Sequence, residues 1–144
     1  GYEINRSADE NYEFQVNNNF YYLTGISQPN VHLIMLKDGD SYMEVLYIDE
    51  YSELYEKWMG HRLTNKEASK ISGVYVSNID YIPNYEDDLL EFLQEYEEVY
   101  LDLETNKNTN HNSFGLSTKD ELTISHPEIK VNDIYENIIV FFSF

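Results

Sequence analysis

A predicted β-hairpin constrains the fold of this chain more than any other sequence feature. Residues 31–37 are apolar almost throughout, which is typical of a strand that is buried on both faces. Residues 38–40 follow with the sequence Asp-Gly-Asp, and Asp-Gly readily adopts the positive φ values of a tight hairpin turn. Residues 42–48 supply the partner strand. The sequence therefore predicts an antiparallel strand pair or a three-stranded meander.

The hydrophobic period becomes helical after residue 50. Four apolar residues recur at i, i+3, i+4 and i+7, which places them on one face of a helix: Tyr51, Leu54, Tyr55 and Trp58. Thr64 and Glu67 then form a capping box, which predicts a second, short helix that ends at Gly73.

Further signals predict the remaining elements. Aromatic residues at 20–23 favour a strand, and residues 74–76 favour another. A helix is predicted over residues 85–96, because acidic residues at its start complement the helix dipole. A strand over 99–103 follows. The fold class predicted from this order is α/β, with a mixed sheet (an antiparallel hairpin plus a parallel crossover) flanked by helices.

Length predicts one domain, which we place at residues 1–135. Within it, residues 116–122 favour a short helix, and Asn132 is predicted to cap a last helical turn. Residues 136–144 end in an apolar run and are interpreted as the start of a linker. A terminal element that packs into the core of the same domain is the alternative.

Composition excludes several classes of function. The 9 basic and 27 acidic residues give a net charge of −18, which repels nucleic acid and anionic membranes. The absence of cysteine excludes disulfide scaffolds and thiolate metal sites. No apolar stretch is long enough to cross a bilayer, and the N-terminus is unlike a signal peptide. We predict a cytoplasmic protein without nucleic-acid or membrane partners.

The sequence lacks a recognisable set of catalytic residues. Asp102 and Glu104 stand at a predicted strand end, where α/β sheets place functional acids, but no matching histidine lies near them. Neither a nucleophile elbow nor a glycine-rich phosphate loop occurs. The four histidines are scattered, without the i, i+4 spacing of a helical zinc motif: His32, His61, His111 and His126. We predict no catalytic residue and no metal ligand in this chain.

Residues 58–63, with the sequence Trp-Met-Gly-His-Arg-Leu, group unusual side chains at one predicted helix end. In a purely structural interpretation Trp58 completes the apolar stripe and Gly60 ends the helix. His61 and Arg62 would then complement the negative end of the helix dipole. The alternative is that this segment contributes to a binding site, and composition alone favours the structural interpretation.

Two motifs in the same order resemble a known family. Residues 19–26, Asn-Phe-Tyr-Tyr-Leu-Thr-Gly-Ile, precede residues 56–63, Glu-Lys-Trp-Met-Gly-His-Arg-Leu, by about thirty residues. This combination is similar to the N-terminal domain of Xaa-Pro aminopeptidases, which belong to the creatinase/prolidase ("pita-bread") metallopeptidases. Residues 7–14 and 63–68 fit the same pattern, and the resemblance extends over about residues 7–103.

The resemblance implies that catalysis takes place in a different domain. In the family, a C-terminal catalytic domain carries two metal ions, usually manganese, held by two Asp, one His and two Glu. None of these ligands can be placed in this sequence, so no cofactor is expected in this chain. The resemblance also implies that the polypeptide continues beyond Phe144 into that catalytic domain, and that the protein forms a homo-oligomer, either a dimer or a tetramer.

The resemblance also implies two residues of a substrate cleft. By position in the second motif these are Trp58 and Arg62, which would lie near the cleft of the same or a neighbouring subunit. Trp58 would supply an apolar wall for proline-containing peptides. Arg62 would supply a cation for a substrate carboxylate, or form an ion pair. No role is assigned to His61.

Three functions were weighed on these grounds. The first is a non-catalytic domain of a Xaa-Pro aminopeptidase that shapes the substrate cleft and supports oligomer assembly. The second is a free-standing interaction module with the same fold but no peptidase activity. The third is an independent hydrolase that uses Asp102, Glu104 and a histidine. The sequence argues against the third, because no acid pair and base converge, and it leaves the first two open.

Overall fold

The computed structural model describes residues 5–7, 10–11, 16–103 and 114–134. The chain divides into two compact units, residues 1–87 and residues 88–144. The first unit opens with a small antiparallel pair, β1 (Asn5–Ser7) and β2 (Glu10–Asn11). Each unit is described by itself below.

A three-stranded mixed sheet forms the centre of the first unit. Its strands are β3 (His32–Asp38), β4 (Ser41–Ile48) and β5 (Ile79–Tyr81), in the order β3-β4-β5. The β3–β4 pair is antiparallel and the β4–β5 pair is parallel. The predicted hairpin turn is confirmed, because Asp38 pairs with Ser41 and Gly39 between them has a φ of 56°. The predicted α/β fold with a mixed sheet is confirmed.

The segment predicted as the first strand is a helix, so that prediction is wrong. Helix α1 spans Asn18–Thr24. The Asn17 side chain accepts a hydrogen bond from Phe20 N (3.0 Å) and thereby caps the helix. Gly25 ends it with a φ of 65°, and its N–H donates to Tyr21 O. The two caps satisfy backbone N–H and C=O groups at the ends of the helix. In a strand, the same groups would need hydrogen bonds to a neighbouring strand.

Two more helices connect β4 to β5. Helix α2 spans Glu53–Met59 and helix α3 spans Asn65–Ser72. The predicted capping box of α3 is present in full, and Gly73 closes this helix with a φ of 81°. The strand predicted at residues 74–76 is wrong, since a short 3-10 turn occupies Val76–Asn78 and the strand that follows is β5.

The core of the first unit lies between the sheet and the helices. Leu46, Tyr47 and Ile48 at the end of β4 are fully buried. The central cluster contains seven buried apolar residues from the sheet, α3 and the connecting loops: Ile26, Val31, Leu46, Ile48, Ala68, Val74 and Ile79. The end of β4 is therefore the most firmly packed backbone of this unit.

Helix α4 (Tyr85–Phe92) links the two units in sequence and ends earlier than predicted. The second unit contains β6 (Glu98–Leu101), α5 (Phe114–Ser125) and β7 (Lys130–Asp133), and β6 and β7 are parallel. Asn132 lies in β7, so the predicted cap at this position is wrong.

The predicted linker at residues 136–144 lies outside the described residues, and the predicted domain boundary stays a prediction. The predicted short helix at 116–122 is confirmed as part of α5. In the described ranges, no helix is both long enough and apolar enough to cross a membrane.

His32 makes the stability of the first unit depend on pH. Its ring lies 4.7 Å from the ring of Tyr85, which also contacts Tyr47 edge-on. Burial lowers the pKa of His32 from 6.5 to about 4, because this half-buried site disfavours the charged ring. The unfolded chain therefore binds a proton at a higher pH than the folded chain, and stability falls as the pH drops from 6.5 toward 4.

We expect the free energy of unfolding to fall by about 2 kcal/mol between pH 7.5 and pH 5 through this one group. Urea denaturation at a series of pH values measures this loss. His32→Phe keeps an aromatic ring beside Tyr85 but cannot titrate. The difference in free energy of unfolding between this variant and the parent should therefore change by about 2 kcal/mol between pH 7.5 and pH 5. A difference that does not vary with pH would contradict the assignment.

Candidate functional site

Trp58 stands exposed near the end of α2. Its exposed fraction is 83%, and that of Leu54, one turn earlier, is 70%. The predicted helix is present, and the described members of its predicted apolar face (Tyr51, Leu54 and Trp58) are exposed. Trp58 is therefore available for contact with a ligand or another domain. Its exposure does not fit the interpretation in which it completes an apolar core stripe.

Arg62, four residues later, has the opposite environment. It is 5% exposed, and its Nε atom lies 3.7 Å from Asp49 Oδ2. The side chain of Asp49, directly after β4, is 23% exposed. Removing one partner of such a buried pair leaves a charge in a site that water reaches poorly. The geometry thus favours the ion-pair role of Arg62 over direct contact with a substrate carboxylate.

The backbone beside Arg62 is also fixed. Leu63 N donates a hydrogen bond to Gln28 Oε1 (3.0 Å), in the loop between α1 and β3. Thr64 then caps α3, and its N and Oγ1 both donate to Glu67 Oε2, at 2.9 and 2.8 Å. Three consecutive residues of the α2–α3 connection are therefore held by three different parts of the unit.

His61 forms a bridge between α2 and α3 on the surface. Its Nδ1 atom hydrogen-bonds Glu56 Oε1, and its Nε2 atom lies 3.2 Å from Glu67 Oε1. Tyr51 Oη donates to the other oxygen of Glu56 (3.2 Å). Sequence reasoning assigned no role to His61. The two glutamates, five residues before and six residues after it, were the available signal.

The charges of this bridge reinforce one another. The hydrogen bond that His61 donates to Glu56 is the largest cause of the raised pKa of His61, and the charge of Glu67 adds to it. The pKa of Glu67 is lowered, first by its hydrogen bonds from Thr64 and then by the charge of His61. The side chains of His61 and Glu67 are 55% and 46% exposed and that of Glu56 is 30% exposed, so solvent screens these ion pairs and they stabilise the fold only weakly. The bridge connects the end of α2 to the first turn of α3.

The other polar residues considered from the sequence do not form a site. Asp102 follows β6, and Glu104 lies outside the described residues. His32 is packed among aromatic rings, and His126 lies next to Ser125 at the end of α5. Among the described residues, no three His, Asp or Glu side chains are grouped so that they could hold a metal ion. This part of the chain therefore does not fit a manganese centre.

Comparison with known proteins identifies related sequences. The sequence model of the family "Aminopeptidase P, N-terminal domain" matches residues 1–100. The Xaa-Pro aminopeptidase of Escherichia coli (strain K12) is 33% identical over 73 residues, which are 50% of this chain and 17% of that protein. The intermediate cleaving peptidase 55 of Schizosaccharomyces pombe is 40% identical over 73 residues, covering 47% of this chain and 15% of the relative.

Solved structures share the fold. A Bacillus anthracis structure described as an aminopeptidase P superposes with a TM-score of 0.87 at 33% identity, over 100% of this chain and 34% of the other. The low-pH form of Escherichia coli aminopeptidase P gives a TM-score of 0.70 at 22% identity, over 93% of this chain and 31% of the other. The chain thus spans about a third of these structures, and less than a fifth of the two sequence relatives.

Proposed function

The chain belongs to the family of aminopeptidase P N-terminal domains, and from this we propose that it is the non-catalytic N-terminal domain of a Xaa-Pro aminopeptidase. The observation that carries the proposal is the family match over residues 1–100. The names of the relatives support the reaction: removal of an N-terminal residue that precedes proline. Because these relatives are peptidases, they support this role over a free-standing interaction module.

In this proposal the chemistry belongs to a catalytic domain on the same polypeptide. Two manganese ions would be bound there, where they would activate water and polarise the scissile carbonyl. The described residues of this chain contain no grouping suited to such ions. In this proposal the present chain shapes the cleft and supports the assembly of a homo-oligomer, in the cytoplasm.

Trp58 is the side chain that we propose contacts the substrate. Its 83% exposure supports this role, because an exposed indole can cover the apolar ring of a proline-containing peptide. Arg62 is the second cleft residue expected from the family resemblance. Its burial beside Asp49 supports a role at the base of this wall, as an ion-pair partner that holds the segment carrying Trp58.

The proposal is tested on the polypeptide that joins this domain to its catalytic domain, with manganese and a Xaa-Pro peptide. The parent should hydrolyse the peptide, and Trp58→Ala should lower kcat/KM about tenfold, since an apolar wall contributes about 1–3 kcal/mol to specificity. The melting temperature should hardly change, because Trp58 packs on little of the described structure.

Tyr42→Ala is the matched control, because Tyr42 is also an exposed aromatic residue (78%) but lies at the start of β4. It should leave kcat/KM unchanged. No hydrolysis by the parent would refute the peptidase assignment. Equal activity of Trp58→Ala and the parent would refute the role of Trp58 alone.

A further inference from the structure

Helix α2 carries Trp58, and most of its described side chains are exposed to solvent. Leu54, Lys57 and Trp58 are exposed, and Glu56 is half-buried. The helix has 7 residues, and isolated helices of this length are not stable in water. The attachment of the residues that flank α2 therefore matters for the orientation of Trp58.

The α2–α3 connection supplies the attachment, and its firmest point is Asp49. This residue directly follows Ile48, which is fully buried, so its backbone continues the most tightly packed strand of the unit. From there its carboxylate reaches Arg62, with Oδ2 3.7 Å from Nε. The pair thus connects the end of the central strand to a point four residues after Trp58.

A single flexible residue separates Trp58 from the attached part of the connection. Gly60 ends α2 with a φ of 85°, a left-handed conformation that glycine adopts easily. Leu63 after it is held by Gln28, and Thr64 by Glu67. A loosened Arg62 would let the chain pivot at Gly60 and carry Trp58 with it.

The surface bridge of His61 also connects α2 to α3 and is therefore the alternative contact that could position Trp58. The side chain of His61 is 55% exposed, and those of Glu56 and Glu67 are 30% and 46% exposed. Solvent and salt screen such contacts, whereas the pair of Asp49 and Arg62 is screened much less. Solvent therefore weakens the attraction between Asp49 and Arg62 less, although Oδ2 and Nε, 3.7 Å apart, form an ion pair and not a hydrogen bond.

We propose that Asp49 is a positioning residue for Trp58 and acts through Arg62. The ion pair fixes the direction in which α2 leaves the connection, and so sets where the indole stands in the cleft. The link between Asp49 and the position of Trp58 concerns this chain alone. Its effect on peptide hydrolysis rests on the function proposed above.

The first test uses Trp58 as an internal probe, because it is the single tryptophan of the 144-residue chain. Asp49→Asn keeps the size of the side chain and removes its charge. Time-resolved fluorescence anisotropy should show that the amplitude of fast Trp58 motion rises about twofold. Glu50→Gln, the same charge change one residue further on, should have no effect. Asp49→Glu should restore most of the order.

The second test measures coupling in the polypeptide that contains the catalytic domain. Asp49→Asn should lower kcat/KM for a Xaa-Pro peptide about fivefold when Trp58 is present, because displaced contact groups lose binding to the transition state. In the Trp58→Ala background, Asp49→Asn should lower kcat/KM by less than about twofold, since the effects of mutations at interacting residues are not additive. A purely structural role would lower the melting temperature equally in both backgrounds without this coupling.

The outcomes separate the two proposals. Unchanged Trp58 motion in folded Asp49→Asn would overturn the positioning role, whatever the enzyme does. Increased motion without any hydrolysis by the parent would uphold the positioning role and refute the peptidase function. If Asp49→Asn does not fold, the double variant Asp49→Leu/Arg62→Leu removes the ion pair without leaving one charge unpaired. It should raise Trp58 motion, and unchanged motion in the folded double variant would overturn the positioning role.

Discussion

Replacing Arg62 by leucine is expected to lower the free energy of unfolding by about 3 kcal/mol, because the change leaves a partly buried charge without its cation. Arg62 is 5% exposed, and the side chain of Asp49, its partner at 3.7 Å, is 23% exposed. Leucine fills much of the space but cannot compensate the carboxylate. Amide hydrogen exchange in β3 and β4 measures this loss in the first unit.

Two controls distinguish the ion pair from a simple loss of packing. Adding Asp49→Leu to Arg62→Leu should recover most of the stability, since apolar replacement of both partners of a buried pair is often neutral. Lys130→Met removes a pair that is shorter, at 3.0 Å to Glu98, but 65% and 43% exposed. Solvent screening should make its effect on the amide exchange of β7 very small.

The result also decides between the two roles expected for Arg62. A loss below about 1 kcal/mol would mean that the guanidinium is not needed by the fold, since exposed pairs contribute no more than that. The substrate-carboxylate interpretation would then gain support. A loss near the expected value would instead assign Arg62 to the framework of the cleft, and would leave Trp58 as the contact residue.

Local signals in the sequence predicted the elements that local chemistry controls. The hairpin formed where an Asp-Gly turn joins two apolar runs, and Gly39 has the expected positive φ. The capping box of α3 formed because Thr64 and Glu67 satisfy each other's backbone groups without help from the rest of the chain. Such features depend on four or five neighbouring residues, so a single sequence is enough to predict them.

The helix α1 could not be predicted from aromatic content. Residues 20–23 are rich in side chains that favour a strand, but this preference is weak and depends on packing. Asn17 and Gly25 provide both caps of the helix, at a spacing that fits two turns. The cap signals were the better guide, because they act on the backbone directly.

The error at residues 74–76 has a similar origin. Three β-branched or aromatic residues predict a strand, yet only Val74 of them is buried, and the sheet gains its third strand at Ile79–Tyr81. The choice between two neighbouring apolar runs depends on which run meets β4 in parallel register. This information lies in residues more than thirty positions away, so the local sequence does not contain it.

The candidate site was predicted in part. The sequence identified residues 58–63 as a candidate segment and predicted the end of the helix at Gly60. The family resemblance then indicated Trp58 and Arg62. It could not assign Asp49 to Arg62, because thirteen residues separate them and the contact requires β4 and α3 to be in place. It also could not show that Trp58 faces outward, since the helical period gives a face but not what covers that face.

The second unit contains a position at which helix propensity and packing predict opposite effects. Gly115 lies in the first turn of α5, where alanine would ordinarily favour the helix by up to about 1 kcal/mol. A Cβ atom at this position would stand 1.9 Å from the carbonyl oxygen of Asp102, the residue directly after β6. The clash involves backbone atoms, so no side-chain rotation can relieve it.

Gly115→Ala is therefore expected to destabilise the second unit by about 3 kcal/mol, because the start of α5 must move away from the end of β6. Amide exchange in β6 and β7 measures this loss as faster opening of their paired backbone. Ser117→Ala, at an exposed position of the same helix, introduces the same side chain without a clash and should be neutral or slightly stabilising. Equal protection in both variants would mean that α5 and β6 are not in close contact, and that helix propensity alone governs this position.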